Sequence, residues 1–248
     1  MTSPATPLMI AHRGERILCP ENTITAGKLA LQQGATALEM DIRMCASGEP
    51  VLFHDAHLLQ HFGKLKPVAM CSLQELKSFK FRNNHYLYPD RICSLEEFLE
   101  EFRGTVPLNL DAKSLLPNPK NFAESLVRLI ERFKIHDQAW ISSFNPYLLR
   151  KIKKLRPAIR TGYLFQNPPR LHELIEIFLS SDAWHPHYKN VTAKFAERAR
   201  KMKKEIYIWT VNELPILRKI QQYDFHGIIT DTFFRNSFPN TAQVAQDG

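Results

Sequence analysis

Glu39 and Asp41 are two acidic residues, two positions apart, in one apolar segment of the 248-residue chain. In a β-strand, residues i and i+2 point to the same face, so we expect both carboxylates to enter one site. Asp111, in a later apolar segment, adds a third carboxylate. A carboxylate set without cysteine is typical of a hard cation, and it indicates a site for Mg²⁺ or Ca²⁺. A surface acidic cluster balanced by lysine or arginine is the alternative.

Two histidines and two basic residues also follow strand-like segments. The imidazole of histidine is the side chain best suited to exchange a proton near neutral pH, so His12 and His54 are candidates for a general base and a general acid. Arg13 and Lys113 carry charges that neutralise a phosphate, and the arginine fork matches phosphate oxygens. The alternatives are structural hydrogen bonds for the histidines and salt bridges for the two cations. Together these residue types indicate acid–base chemistry on a phosphate.

Trp209 places a large aromatic ring on a predicted barrel strand, where small and branched residues are expected. Two interpretations are open. The ring packs in the core, or it forms a floor beneath a glycerol or choline group, with a cation–π contact in the second case.

The segments that carry these residues alternate regularly with amphipathic stretches. The predicted strands are Leu8–Ala11, Ala37–Arg43 (with Pro50–His54 as a further short strand or its continuation), Val106–Leu110, Ala139–Ser142, Thr161–Phe165, Ala183–His185, Ile206–Thr210 and Gly227–Thr230. Eight β segments separated by helices predict an α/β fold, a TIM (β/α)8 barrel whose active site lies where the strands end. A doubly wound open sheet is the alternative, but the turn after the first segment lacks the GxGxxG pattern.

We predict one domain over residues 1–248, with a small insertion after the second strand at about residues 56–90. Loops of this length are uncommon and often functional. Because the active site of such a barrel lies at the C-terminal ends of its strands, we expect the insertion to lie over that mouth. The insertion contains four apolar residues that could contact a membrane if they were exposed: Leu58, Leu59, Phe62 and Leu65. The favoured alternative is that these residues pack back on the barrel.

Composition narrows the possible partners. The chain has 33 Lys plus Arg against 25 Asp plus Glu, a net charge of +8, which favours anionic partners. No apolar segment is long enough to span a bilayer, so no stable membrane insertion is expected. The four cysteines form no CxxC pair, and the first residues lack the features of a signal peptide, so a cytoplasmic location is expected.

Seven motifs, in this order and spacing over residues 9–232, resemble the glycerophosphodiester phosphodiesterase family: His12-Arg13-Gly14, Pro20-Glu21-Asn22-Thr23, Glu39-x-Asp41, His54-Asp55, Asn109-x-Asp111-x-Lys113, Trp209-Thr210-Val211-Asn212 and Gly227-Ile228-Ile229-Thr230-Asp231. The resemblance implies that Asn22 or Thr23 caps the first helix.

The resemblance also implies roles for the site residues, which are grouped here by role: His12 and His54 in catalysis, Glu39, Asp41 and Asp111 around a divalent cation, Arg13 and Lys113 on the phosphate, and Trp209 beside the glycerol. The family usually has Glu where this chain has Asp111, so direct and water-bridged coordination both stay open.

The function implied by the resemblance is hydrolysis of a small-molecule glycerophosphodiester to glycerol 3-phosphate and an alcohol. His12 would activate the nucleophile and His54 would protonate the leaving group. Either water or the substrate's own hydroxyl is the nucleophile; the alcohol, the cation and the oligomeric state also stay open. A phospholipid or lysophospholipid substrate is the alternative on the same fold. A non-enzymatic anion-binding or nucleic-acid-binding protein is the alternative of a different class, but no nucleic-acid-binding motif is present, so no nucleic-acid partner is predicted.

Overall fold

The computed structural model describes residues 6–82, 85–114, 121–166, 175–176 and 178–234. Within them, strands β1 to β9 are Leu8–His12, Ala37–Met44, Pro50–Leu52, Leu108–Ala112, Ala139–Ser143, Arg160–Phe165, Ala183–Pro186, Glu205–Ile208 and Gly227–Thr230. Helices α1 to α8 are Ile24–Gln32, Leu59–Phe62, Leu73–Ser78, Leu95–Phe102, Phe122–Phe133, Pro146–Leu155, Ala193–Lys201 and Leu214–Ile220.

Eight of these strands form a closed parallel barrel. Their order is β1, β9, β8, β7, β6, β5, β4 and β2, and a further pairing between β1 and β2 closes the ring. The main hydrophobic core lies between the strands and the surrounding helices. The predicted TIM barrel is therefore confirmed. Because strand ends converge at one mouth of such a barrel, residues far apart in sequence meet there.

Of the two alternatives for residues 50–54, the further short strand is confirmed, with the shorter bounds Pro50–Leu52. β3 pairs antiparallel with β2, with Met44 opposite Pro50, so it returns along β2 instead of continuing it. Gly48, with φ of +93°, lies in the turn between the two strands. Glycine adopts this φ without the steric cost that a Cβ would add, and it therefore allows the chain to reverse at this position.

Two further strands differ from the prediction by two residues at an end, and the other differences are of one residue. The third barrel strand is Leu108–Ala112 and not Val106–Leu110, because Pro107 has no N–H to donate to the sheet. Asp111 thus lies within the strand. β8 ends at Ile208, so Trp209 follows the strand and forms only a single bridge with His187. The predicted helix Leu171–Leu179 falls largely on residues outside the described ranges.

The predicted insertion is a folded unit. It contains α2, a 3₁₀ turn and α3, and it shares a small hydrophobic cluster with β3 and its neighbouring segments. Leu58 and Phe62 are buried there, as the packing prediction requires, whereas Leu59 and Leu65 are exposed and the prediction is wrong for them. Within the described ranges, no helix combines the length and apolar character needed to cross a membrane.

Candidate active site

Three carboxylates meet at the top of β2 and β4. Asp41 is the register partner of Asp111, and Glu39 lies two residues before Asp41 on the same face. All three side chains are buried, and one oxygen from each lies within 4.8 Å of the others. The parallel register thus brings together the set that the sequence predicted.

Two cations bracket this carboxylate cluster. Arg13 Nε lies 3.0 Å from a carboxylate oxygen of Asp41, and Arg13 Nη1 donates a hydrogen bond of 2.9 Å to Glu21. Lys113 Nζ lies 3.0 Å from the other oxygen of Asp41 and donates a hydrogen bond to Asp111. Both cations are therefore fixed at the cluster, with one negative charge more on the three carboxylates than the two cations neutralise.

The turn after β1 aims Arg13 at the cluster. Arg13 has φ of 61°, in the left-handed region, and its N–H donates to Glu39 Oε2 at 3.0 Å. The next residue, Gly14, also has a positive φ, and a Cβ there would lie 2.6 Å from the backbone carbon of Ala26. Only glycine fits this close approach between the turn and α1.

The ionisation of the three carboxylates differs. Burial, followed by the charges of Asp41 and Asp111, raises the pKa of Glu39 well above its usual value. Burial also raises the pKa of Asp111, although Lys113 opposes this. For Asp41, the charges of Lys113 and Arg13 overcome burial and hold the pKa well below its usual range. The arrangement favours a further positive charge at the cluster.

A divalent cation fits these residues. Asp111 Oδ1 is buried and accepts no hydrogen bond from any described residue, and Asp41 Oδ1 contacts Lys113 in an ion pair but likewise accepts no hydrogen bond. Buried carboxylate oxygens are normally hydrogen-bonded, and those left over are suitable ligands for a hard cation. The three carboxylates are thus compatible with a divalent metal.

His12 pairs with a carboxylate from the last barrel strand. Its Nδ1 lies 2.8 Å from Oδ1 of Asp231, which also accepts a hydrogen bond of 3.2 Å from Arg16. Asn212 donates a hydrogen bond of 2.7 Å to the other oxygen, Oδ2. Burial opposes ionisation of Asp231, but the hydrogen bond and charge of His12, together with Asn212 and Arg16, hold its pKa below the usual range. The contact with Asp231 is made by Nδ1 of His12 and does not involve Nε2.

His54 is held in the same way from its own loop. Its Nδ1 lies 2.8 Å from Oδ1 of Asp55, and its carbonyl accepts a hydrogen bond of 2.7 Å from Arg43 Nε. His61 of the insertion has Nε2 3.9 Å from Asp55 and also from Glu21. Neither Asp55 nor Asp231 has a predicted role from the sequence, although each is a carboxylate that closely follows a strand, and that position is the signal that could have identified both.

The residues of the motif Pro20-Glu21-Asn22-Thr23, which precedes α1, have separate roles. Thr23 caps α1, since its side chain accepts from the N–H of Ala26. Asn22, the other predicted cap, binds Asp41 instead, with its amide donating to the carboxylate and accepting from the backbone N–H, both at 2.9 Å. Glu21 faces the site and accepts a hydrogen bond from Arg13.

Trp209 lies on another side of the same mouth. Its indole Nε1 donates a hydrogen bond of 2.8 Å to the carbonyl of His185, which fixes the ring. Phe144 packs edge-on against it with ring centroids 5.5 Å apart, and Lys113 Nζ lies 5.9 Å from the Phe144 ring. Trp209 is partly exposed, so it belongs to the wall of the mouth as well as to the packing around β8.

Comparison with known proteins matches residues 12–233 to the model of the glycerophosphoryl diester phosphodiesterase family. The chain belongs to this family. A glycerophosphodiester phosphodiesterase from Caldanaerobacter subterraneus subsp. tengcongensis is 31% identical over 229 residues, covering 90% of this chain and 93% of the relative. Glycerophosphodiester phosphodiesterase activity follows from this membership.

Solved structures agree with the barrel. A phosphodiesterase from Oleispira antarctica, in complex with the product sn-glycerol 3-phosphate, has a TM-score of 0.82 at 24% identity and covers 91% of this chain and 93% of its own. A family enzyme from Thermotoga maritima has a TM-score of 0.73 at 25% identity, with coverages of 91% and 94%.

Proposed function

We propose that the protein hydrolyses glycerophosphodiesters to glycerol 3-phosphate and an alcohol with the help of a divalent cation, Mg²⁺ or Ca²⁺. The observation that carries this proposal is the buried set of three carboxylates with two histidines and two cations around it. Glu39, Asp41 and Asp111 would hold the cation, which when bound would supply Lewis-acid stabilisation of charge on the phosphate.

The two histidines transfer protons. Each imidazole donates its Nδ1–H to a carboxylate, so each presents Nε2 to the substrate as the reactive atom. His12 accepts the proton of the nucleophile, water or the substrate's own hydroxyl, as its oxygen bonds to phosphorus. The bond from phosphorus to the alcohol oxygen breaks, and His54 donates a proton to that oxygen. If the substrate's hydroxyl attacks, water then opens the cyclic phosphate to give glycerol 3-phosphate. A positioned general acid or base typically contributes roughly 10²–10⁴ in rate.

Arg13 and Lys113 bind the phosphate. Both are largely buried and already held by carboxylates, so they lose little side-chain freedom when substrate binds. Charges fixed in a buried site stabilise the transition state more than charges that must first reorient. Trp209 lines the glycerol side with the apolar face of its ring.

A cytoplasmic location is part of the proposal. The four cysteines are free and buried, which suits a reducing compartment.

The decisive experiment is release of glycerol 3-phosphate from a panel of glycerophosphodiesters, with and without EDTA. We expect chelation to abolish turnover and Mg²⁺ or Ca²⁺ to restore it. Replacement of either histidine, His12→Ala or His54→Ala, should reduce turnover at least ~10²-fold without loss of the fold. Full turnover after exhaustive chelation would disprove the metal requirement, and a fully active histidine variant would disprove that residue's role. Trapping of a cyclic glycerol phosphate would identify the substrate's own hydroxyl as the nucleophile.

A further inference from the structure

Three exposed apolar side chains lie together beside the catalytic mouth. Ile17 is 76% exposed, Leu87 is 70% exposed and Tyr88 is 49% exposed. A hydrogen bond of 3.1 Å from the N–H of Tyr88 to the carbonyl of Leu18 joins the two loops that carry them. We call Ile17, Leu87 and Tyr88 the mouth patch.

The loop that carries Ile17 is firmly held although the side chain is exposed. The buried carboxylate of Glu15 accepts hydrogen bonds from the N–H groups of Ile17 and Leu18 at 2.9 and 2.7 Å. The thiol of Cys19 donates to the Glu15 carbonyl at 2.9 Å. A loop fixed by three hydrogen bonds does not expose isoleucine through disorder. Exposed apolar groups on ordered surface mark interaction sites when they cluster.

The mouth patch borders the opening of the barrel. Arg16, next to Ile17, reaches Asp231 and Glu21, the carboxylates that hold His12 and Arg13. On the far side of the opening, Phe144 and Tyr147 are also largely exposed, at the end of β5 and in the first turn of α6. Polar catalytic groups therefore lie at the base of an opening with apolar groups on both sides.

Positive charges outnumber negative charges in the insertion that carries Leu87 and Tyr88. Residues 56–90 contain five lysines and arginines against two acidic residues. Arg82 and Arg91 are exposed on the segments that flank Leu87 and Tyr88. Apolar and aromatic side chains with adjacent arginines match the interface of an anionic bilayer, where the apolar groups enter the acyl boundary and the arginines contact lipid phosphates.

We propose that the mouth patch docks the barrel opening onto the surface of an anionic lipid bilayer, with Arg82 and Arg91 contacting the headgroups. This is reversible surface contact, which requires no membrane-spanning helix. It is independent of the proposed catalytic roles, because a water-soluble substrate enters the same opening without a bilayer.

Vesicle flotation tests this docking. Wild-type protein is mixed with vesicles of phosphatidylcholine alone or with about 30% phosphatidylglycerol, at low and high salt. The test variant is Leu87→Ser. The matched control is Leu155→Ser, which removes an exposed leucine at the C-terminal end of α6, at the opposite end of the barrel. Turnover of soluble glycerophosphocholine is measured for all three proteins to show that the fold is intact.

We expect wild type and Leu155→Ser to float with the anionic vesicles, and less so at high salt because screening weakens headgroup contacts. Leu87→Ser should bind at least ~3-fold more weakly, and the double variant Ile17→Ser/Leu87→Ser about tenfold more weakly, with unchanged soluble turnover. Absence of wild-type flotation, or equal losses in Leu87→Ser and Leu155→Ser, would overturn the proposal. So would a concentration-dependent dimer that Leu87→Ser dissociates without any vesicle binding, since a second copy would then cover the patch.

Discussion

His12 Nδ1 lies 2.8 Å from Oδ1 of Asp231, a residue 219 positions later in the chain. Closure of the barrel makes this contact, because β1 and β9 are neighbours in the ring. The second histidine obtains its carboxylate from the adjacent residue, Asp55. One pair therefore depends on the tertiary fold and the other on local sequence, yet both fix the histidine ring through Nδ1.

The Asp231 contact predicts that Asp231→Asn lowers turnover at least ~10-fold while the protein stays folded, with some loss in the free energy of unfolding because the charged carboxylate is stabilised by His12, Asn212 and Arg16. An asparagine side chain either donates or accepts, so it no longer fixes the Nδ1–H tautomer of His12, and the wrong tautomer presents no free basic nitrogen to the nucleophile. Steady-state kinetics with chemical denaturation of the same sample measures both effects. The control is Asp137→Asn, at an exposed carboxylate in the turn before β5, which should leave turnover within about twofold. Equal turnover in the two variants would show that Asp231 is not needed to orient His12.

Asp111 predicts opposite outcomes for two replacements. Its Oδ1 accepts no hydrogen bond from a described residue while its other oxygen binds Lys113. If the charge of Asp111 supports the cation, Asp111→Asn should weaken metal binding at least ~10-fold and lower turnover, because a neutral amide is a poorer ligand for a hard cation. Asp111→Glu keeps the charge and should retain most activity.

Calorimetric metal titration, together with metal-dependent turnover, distinguishes the two Asp111 variants. The reverse order would identify Asp111 as a structural partner of Lys113, since asparagine keeps a hydrogen bond there while glutamate crowds the mouth. Normal metal affinity in Asp111→Asn would remove Asp111 from the cation site.

Arg13 should matter far more than a surface cation. Arg13→Asn removes the charge aimed at the phosphate, and asparagine tolerates the left-handed backbone found here, with φ of 61°. We expect a loss of kcat/KM of at least ~10²-fold. Lys201→Ala removes a mostly exposed charge paired with Glu197 on α7 and should change kcat/KM less than about twofold. Comparable losses would mean that overall positive charge, and not a local clamp, explains the effect.

His185 predicts a specific acid instability. Burial, with a smaller effect of the Arg160 charge, lowers the pKa of this fully buried imidazole to about 3. In the unfolded chain this histidine binds a proton below about pH 6.5, whereas in the folded chain it stays neutral down to about pH 3. The free energy of unfolding is therefore unaffected by His185 above about pH 6.5 and decreases as the pH falls from there toward about 3.

The His185→Gln variant isolates this effect. Between about pH 6 and pH 4, the free energy of unfolding of wild type should fall more steeply than that of the variant, by about 1.4 kcal/mol per pH unit for one proton. Glutamine keeps an acceptor for the indole N–H of Trp140, which donates to His185 Nε2 at 3.2 Å. Denaturant titrations at several pH values measure both slopes, and parallel slopes would contradict the neutral, buried state of His185.

The sequence by itself determined the barrel and the composition of its mouth. The alternation of apolar and amphipathic segments predicts the eight strands because a parallel sheet buries both faces and needs helical crossovers. The i, i+2 spacing of Glu39 and Asp41 places both on one face because strand periodicity is a local property. The local amphipathic pattern predicts helices over Leu95–Phe102 and Phe122–Phe133, and the structure has helices with these bounds.

Only the tertiary structure decided which partners these residues have. Residue type alone could not show that Asn22 binds Asp41 instead of capping α1, or that Asp231 is the partner of His12, because both contacts join segments that are distant in sequence. The tertiary structure also decided which apolar residues of the insertion are exposed. Leu58 and Leu59 are adjacent and chemically identical, yet the first is buried and the second is exposed. Packing against β3 and its neighbours decides between them, and that packing is a property of the folded chain.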